Sequence, residues 1–177
     1  AAGGALRSQS LRRAAGSPIS LDGTVLRVDP ATGLGLPDNP LAGHSNVNAR
    51  RIIAYGLRNP FRINTRPGTN EIWVGDVGWG TWEEINRITN PTDATVENFG
   101  WPCYEGNNRQ SGYDSANLNI CENLYSAGAS AVTNPFYTYD HAVKVVSTDT
   151  CPTGSSSVSG VAFQFASGTS YPVQYDN

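Results

Sequence analysis

The chain has 177 residues, 38% of them hydrophobic, and a formal net charge of -3: enough for one sizeable core, and too apolar for a disordered tail. No stretch approaches the roughly 20 consecutive apolar residues of a membrane-spanning helix, and the opening AAGGALRSQSLRR lacks the apolar middle of a signal peptide. Nineteen Gly, eleven Pro, no Met and a single Lys, Lys144, describe many turns and little long helix, hence an all-β chain.

Residues 1–20 read as an irregular polar segment in which the Arg12, Arg13 pair is solvated, and the remaining 21–177 read as one unit. GTVLRVDP alternates with the period of a half-buried strand and ends in a Pro-led turn. The following ATGLGLPDNPLAG is a Gly/Pro loop whose GLG lacks the third Gly and the helix of a dinucleotide fingerprint. A second strand covers roughly Arg51 to Tyr55, breaks at Gly56 and resumes near Phe61. RPGTN is a turn and EIWVGDV a third strand, so these two form a hairpin. TWEEINRIT has the β-branched and aromatic content of another strand. From Asn90 to Ser130 the chain is expected to be mostly loop, and NPFYTYDHA and SSVSGVAFQFASG supply two further strands. Short strands at intervals near ten residues fit a sandwich, a barrel or part of a propeller.

Charge is unevenly placed. Residues 1–66 carry nine Arg against three Asp, a balance of +6, while the rest carries three bases against twelve acids, a balance of -9. Either these are two solvated faces, or Arg side chains converge on an anion, for which the planar guanidinium fork suits carboxylates. The acidic overall balance, with no continuous basic stripe, argues against nucleic acid. The three cysteines show no CxxC spacing. Cys103 and Cys121 bracket a polar loop that a disulfide would staple, and Cys151 is left to a partner outside this chain. That odd cysteine and a start without Met suggest a piece of something longer.

The densest chemistry lies between Ala54 and Gly106. Arg58 and Asn59 sit between Gly56 and Pro60, in a turn that Pro makes rigid, where both side chains can meet a planar polar ligand; the plainer alternative has Arg58 satisfying loop carbonyls and Asn59 capping the turn. GDVGWG lets backbone carbonyls approach a ligand or a hard cation such as calcium, without the regular Asp spacing of an EF-hand. Adjacent Glu83 and Glu84 point to opposite faces of a strand, which excludes a cooperating glycosidase pair. Trp73, Trp79, Trp82, Trp101 and Tyr104 divide between core and a sugar-stacking platform. His141 reads as a hydrogen-bonded structural residue rather than a general base.

GLRNP, the Gly-Asp-Val-Gly loop, WEEIN and NFGWP, preceded by GTVLRVDPATG...LPDNP and followed by SSVSGVAF and YP, occur in one order at close intervals. That series resembles the glucose/sorbosone dehydrogenase family, soluble quinoproteins that use pyrroloquinoline quinone (PQQ) and calcium on a six-bladed β-propeller. The resemblance implies a partial propeller of about three blades, truncated at both ends, from a secreted or periplasmic enzyme. It also implies hydride transfer from the anomeric carbon of a sugar to the quinone, with an external electron acceptor. Arg58 and Asn59 match the cofactor-contacting pair, and Gly78 and Trp79 match the loop whose carbonyls hold calcium. Trp79 stands where the best-known glucose-oxidising members have Pro, and Phe61 where they have a cofactor-contacting Gln. The family's general base falls upstream of these residues and its further basic cofactor ligands downstream. No catalytic residue is therefore assigned, and this chain alone is expected to be inactive without the missing blades. The alternative is a non-catalytic extracellular propeller that binds carbohydrate or protein.

Overall fold

A computed structural model describes residues 4–150 and 156–163. A 3-10 helix, Ala5–Arg12, leads into β1 (Thr24–Leu26), α1 (Val47–Arg51), β2 (Ile52–Tyr55), β3 (Pro60–Thr65), β4 (Ile72–Asp76) and β5 (Trp82–Ile88). Then come β6 (Glu97–Asn98), β7 (Tyr104–Glu105), β8 (Asn108–Arg109), α2 (Ser111–Ser115), α3 (Asn119–Ser126), a 3-10 turn at Ala129–Ala131 and β9 (Tyr137–Asp140). The described residues are mostly β, with short helices and largely antiparallel sheets. None of the helices among them is long and apolar enough to cross a membrane.

Strands β3, β4, β5 and β9 form one antiparallel sheet in that order. The expected hairpin is present: Pro60 pairs with Asp76 and Thr65 with Ile72 around the RPGTN turn. A second sheet, in the order β1-β2-β6, joins β2 antiparallel to β1 and parallel to β6; β7 and β8 form a separate small hairpin. The two larger sheets share a core of Val25, Ile53, Ala54, Leu57, Val74, Ile88 and Phe99. Each large apolar side chain enclosed there contributes roughly 1.5–3 kcal/mol relative to exposure.

Several sequence expectations need correction. Residues 5–12 are helical rather than irregular, and Ser8, Gln9 and Ser10 are buried because their side chains tie distant loops together. Of the Arg12, Arg13 pair, Arg13 is exposed as expected but Arg12 is half-buried: its guanidinium donates to the Ile120 carbonyl at 2.9 Å, and burial lowers its pKa from the ordinary value. The stretch from Asn90 to Ser130, expected to be mostly loop, also carries β6, β7, β8, α2 and α3. There, Cys121, Leu124 and Tyr125 recur at helical spacing and pack on the Cys103–Cys121 disulfide, which is formed as expected. Residues 156–163 carry no strand, since the segment is held by isolated contacts such as Val158 N–H to Glu83; the rest of SSVSGVAFQFASG, like Cys151 and YPVQYDN, lies outside the described residues.

Candidate functional site

The β3–β4–β5 connections place the sequence-predicted residues at one end of a sheet. Pairing Pro60 with Asp76 and Asp76 with Glu84 brings the GLRNP turn, the 77–81 loop and the start of β5 together. The turn begins at Gly56, whose φ of +77° disfavours a side chain and where a Cβ would lie 2.4 Å from Asn98 Oδ1. Trp101 N–H then donates to the Gly56 carbonyl at 2.8 Å, joining NFGWP to GLRNP. The Trp101 carbonyl in turn accepts from Ser8 Oγ at 2.6 Å and Gln9 Nε2 at 2.9 Å. The N-terminal helix thus clamps both motifs, a role its polar sequence did not signal.

Arg58 and Asn59 line an open cavity of about 420 Å³ together with Ser8, Asp22, Leu57 and Trp101. Their main chain is fixed by Asp76, which accepts Arg58 N–H on Oδ2 at 2.9 Å and Asn59 N–H on Oδ1 at 2.6 Å. Burial pushes the Asp76 carboxyl up to about 7, against the pull of those two N–H donors and of the Arg58 guanidinium. One Arg58 guanidinium nitrogen donates to the Val77 carbonyl at 2.9 Å, as the plainer structural reading anticipated, and Val77 N–H returns to the Asn59 carbonyl at 3.1 Å. The guanidinium carbon lies 5.7 Å from the Trp101 ring centre, within cation–π reach.

Val77 is the link to the second predicted group, the loop of Gly78 and Trp79. A Cβ on Gly78 would fall 1.7 Å from the Trp82 carbonyl, so only glycine fits the tight chain reversal. Glu105 Oε1 accepts the N–H groups of Trp79, Gly80, Thr81 and Trp82 at 2.8, 2.8, 3.0 and 3.2 Å. Burial raises the Glu105 carboxyl pKa, but these donors outweigh it and leave the pKa below the ordinary value. In a trans peptide the carbonyl of one residue points opposite to the N–H of the next. With the N–H groups of residues 79–82 turned toward Glu105, the carbonyls of residues 78–81 face away from it, and that of Thr81 is taken by His141 N–H. Backbone oxygens of that kind are hard-cation ligands, the donor chemistry that calcium takes. Among the described residues no group of three or more His, Cys, Asp or Glu forms a metal cluster, so any such site here would rest on carbonyls.

Of the five aromatic residues singled out, Trp82 and Tyr104 are half-buried. Trp73 and Trp101 are buried, while Trp79 is 53% exposed. Trp79 meets Trp101 edge-on with ring centres 5.5 Å apart, and Tyr113 lies 5.8 Å from each. This cluster joins the 77–81 loop to the cavity wall. Phe61 is exposed on β3.

Glu83 and Glu84 act separately, each holding main chain. Glu83 Oε1 accepts Gly78 N–H at 3.1 Å and Oε2 accepts Val158 N–H at 2.6 Å. Glu84 accepts Gly106 N–H at 2.6 Å, and burial followed by the nearby Asp76 charge pushes its carboxyl up to about 8. His141 Nε2 is engaged by Glu83 Oε1, and His141 N–H donates to the Thr81 carbonyl at 2.9 Å. It is a clasp between β9 and the loop. Sequence reasoning singled out neither Asp76 nor Glu105 as an organiser; carboxylates falling next to Gly-rich loops were the available signal.

The family model for Glucose / Sorbosone dehydrogenase matches residues 4–163. No curated protein matches the chain. Among solved structures, the chain is similar to the PQQ-bound form of an aldose sugar dehydrogenase (Adh) from Streptomyces coelicolor, with 24% identity and a TM-score of 0.47. That similarity covers 70% of this chain and 27% of the other, so the chain spans about a quarter of that protein's length. The match over residues 4–163 takes in GLRNP, the Gly-Asp-Val-Gly loop, WEEIN and NFGWP, and the chain belongs to the glucose/sorbosone dehydrogenase family.

Proposed function

We propose that the chain forms part of a PQQ-dependent sugar dehydrogenase, contributing one wall of the cofactor site within about three blades of a six-bladed propeller. One observation carries this reading: Arg58 and Asn59 and the Gly78–Trp79 loop, picked out as two separate motifs, are joined through Val77 and the Trp79–Trp101 contact into one patch beside one cavity. Its chemistry suits an anionic planar quinone. The Arg58 guanidinium supplies a fixed positive charge and the neighbouring Asn59 an amide able to donate and accept. Trp101 offers an apolar wall. The carbonyls of Gly78 and Trp79 would hold calcium against the cofactor.

Bound there, the cofactor and its calcium supply an acceptor for hydride from the anomeric carbon of an aldose. The residues of this chain bind and orient; none is given the role of proton acceptor, since His141 is already engaged by Glu83 and Thr81. An oxidising setting, secreted or periplasmic, is supported by the Cys103–Cys121 disulfide. A sugar and an external electron acceptor complete the reaction. The reading is tested by titrating the chain with PQQ in calcium and in chelator while following quinone absorbance. Saturable, calcium-dependent binding supports it; sugar binding without any quinone binding supports a non-catalytic propeller instead.

A further inference from the structure

We propose that Glu105 is the positioning residue of the cation loop, presetting the Gly78 and Trp79 carbonyls more through the reach of its side chain than through its charge. This rests on the reading above, that the loop holds calcium. Glu105 is buried on β7, a hairpin strand separate from the sheet that carries the loop. From there Oε1 alone receives the N–H groups of residues 79 through 82, all within 3.2 Å. Four convergent donors leave little freedom for peptide rotation. If the 78–79 or 79–80 peptide flipped, it would put a carbonyl against the carboxylate and withdraw an oxygen from the outer face. Glu83 fixes the N–H of Gly78 from the other side, so the reversal is pinned at each residue from 78 to 82.

The disulfide-bonded segment is part of the same support. Gln110 N–H donates to the Cys103 carbonyl at 2.8 Å, and Tyr125 Oη donates to it at 2.8 Å, which anchors the β7–β8 hairpin on the Cys103–Cys121 cluster. Glu105 therefore carries the rigidity of that cluster to the loop.

Two conservative variants separate reach from charge. Glu105→Gln keeps the length and a carbonyl oxygen but loses the charge; Glu105→Asp keeps the charge but falls one methylene short. The readout is terbium luminescence excited through Trp79 on the loop, with displacement by calcium giving the calcium affinity and a Trp79→Phe chain reporting the location. Expected is saturable emission from the wild-type chain, calcium affinity weakened by less than about tenfold in Glu105→Gln, and a loss of more than about tenfold in Glu105→Asp, a factor corresponding to ~1.4 kcal/mol. Near-ultraviolet circular dichroism of each variant establishes that it is folded. Saturable wild-type binding with the order reversed, or with both variants equal to wild type, overturns the role of Glu105 alone. Absence of any saturable wild-type signal overturns the calcium reading and the Glu105 assignment with it.

Discussion

The Asp76 carboxylate holds the main-chain N–H of Asn59 at 2.6 Å while its second oxygen takes that of Arg58 at 2.9 Å. A single side chain at the end of β4 therefore sets the backbone on which both proposed cofactor residues stand. Leaving a buried donor without its acceptor costs roughly 1–3 kcal/mol. Asp76→Ala is expected to lower the unfolding free energy by that order, measured by urea denaturation. Asp76→Asn, which keeps one acceptor, is expected to lose less stability and still weaken quinone binding.

Arg58 is expected to resist conservative replacement. Lysine carries the charge but not the planar fork that donates to Val77 and faces the Trp101 ring. Arg58→Lys is expected to weaken PQQ binding by about tenfold, the factor that ~1.4 kcal/mol makes in an equilibrium constant, and Arg58→Ala by more. Equal affinity of Arg58→Lys and wild type in an absorbance titration would remove Arg58 from the site.

The pH dependence of stability has a definite sign. Burial raises the Glu84 carboxyl to about 8 and the Glu97 carboxyl to about 7, both from an ordinary value of 4.5. Glu97 Oε2 is buried without a hydrogen-bond partner among the described residues. For an acid whose pKa is raised on folding, the folded state binds more protons than the unfolded chain between those values. Its contribution is complete below about pH 4.5 and is lost as pH rises through 7 to 8. Melting temperature is therefore expected to fall between pH 5 and pH 8, and Glu97→Gln is expected to flatten that fall. A melting temperature that rises over the same interval would contradict the assignment.

The Cys103–Cys121 disulfide closes a loop with a sequence separation of 18. Constraint of the unfolded chain over such a loop is worth on the order of 3 kcal/mol. Replacing both cysteines by alanine is expected to reduce stability by that order in urea denaturation, and to loosen Tyr125 and the β7–β8 hairpin, visible as faster amide exchange at Gln110.

The strands were legible where alternation and turn residues agreed: the β3–β4 hairpin around RPGTN, β5 over WEEINRI and β9 within NPFYTYDHA all fall where the sequence reading put them. Helix α3 was not, although Cys121, Leu124 and Tyr125 have helical spacing, because its stability comes from packing on the disulfide and on Leu6 from the far end of the chain. The 3-10 helix escaped for a similar reason. Ser8 and Gln9 are polar residues buried by partners about ninety positions away, Trp101 and Asn98, and no local pattern encodes such pairing. Arg58, Asn59, Gly78 and Trp79 were found through motif order; their supports, Asp76 and Glu105, emerged only from geometry.

The central claim, that GLRNP and the Gly78–Trp79 loop form one quinone-and-calcium wall, is tested most directly by equilibrium titration of the chain with PQQ. Wild type, Arg58→Ala and Asn59→Ala are compared, each in calcium and in chelator. Expected is a saturable absorbance change in wild type that weakens on calcium removal and is lost by about tenfold or more in either variant, without turnover of aldose by the chain alone. Binding that is unchanged by both substitutions and by chelator, or no saturable change in wild type, would contradict it.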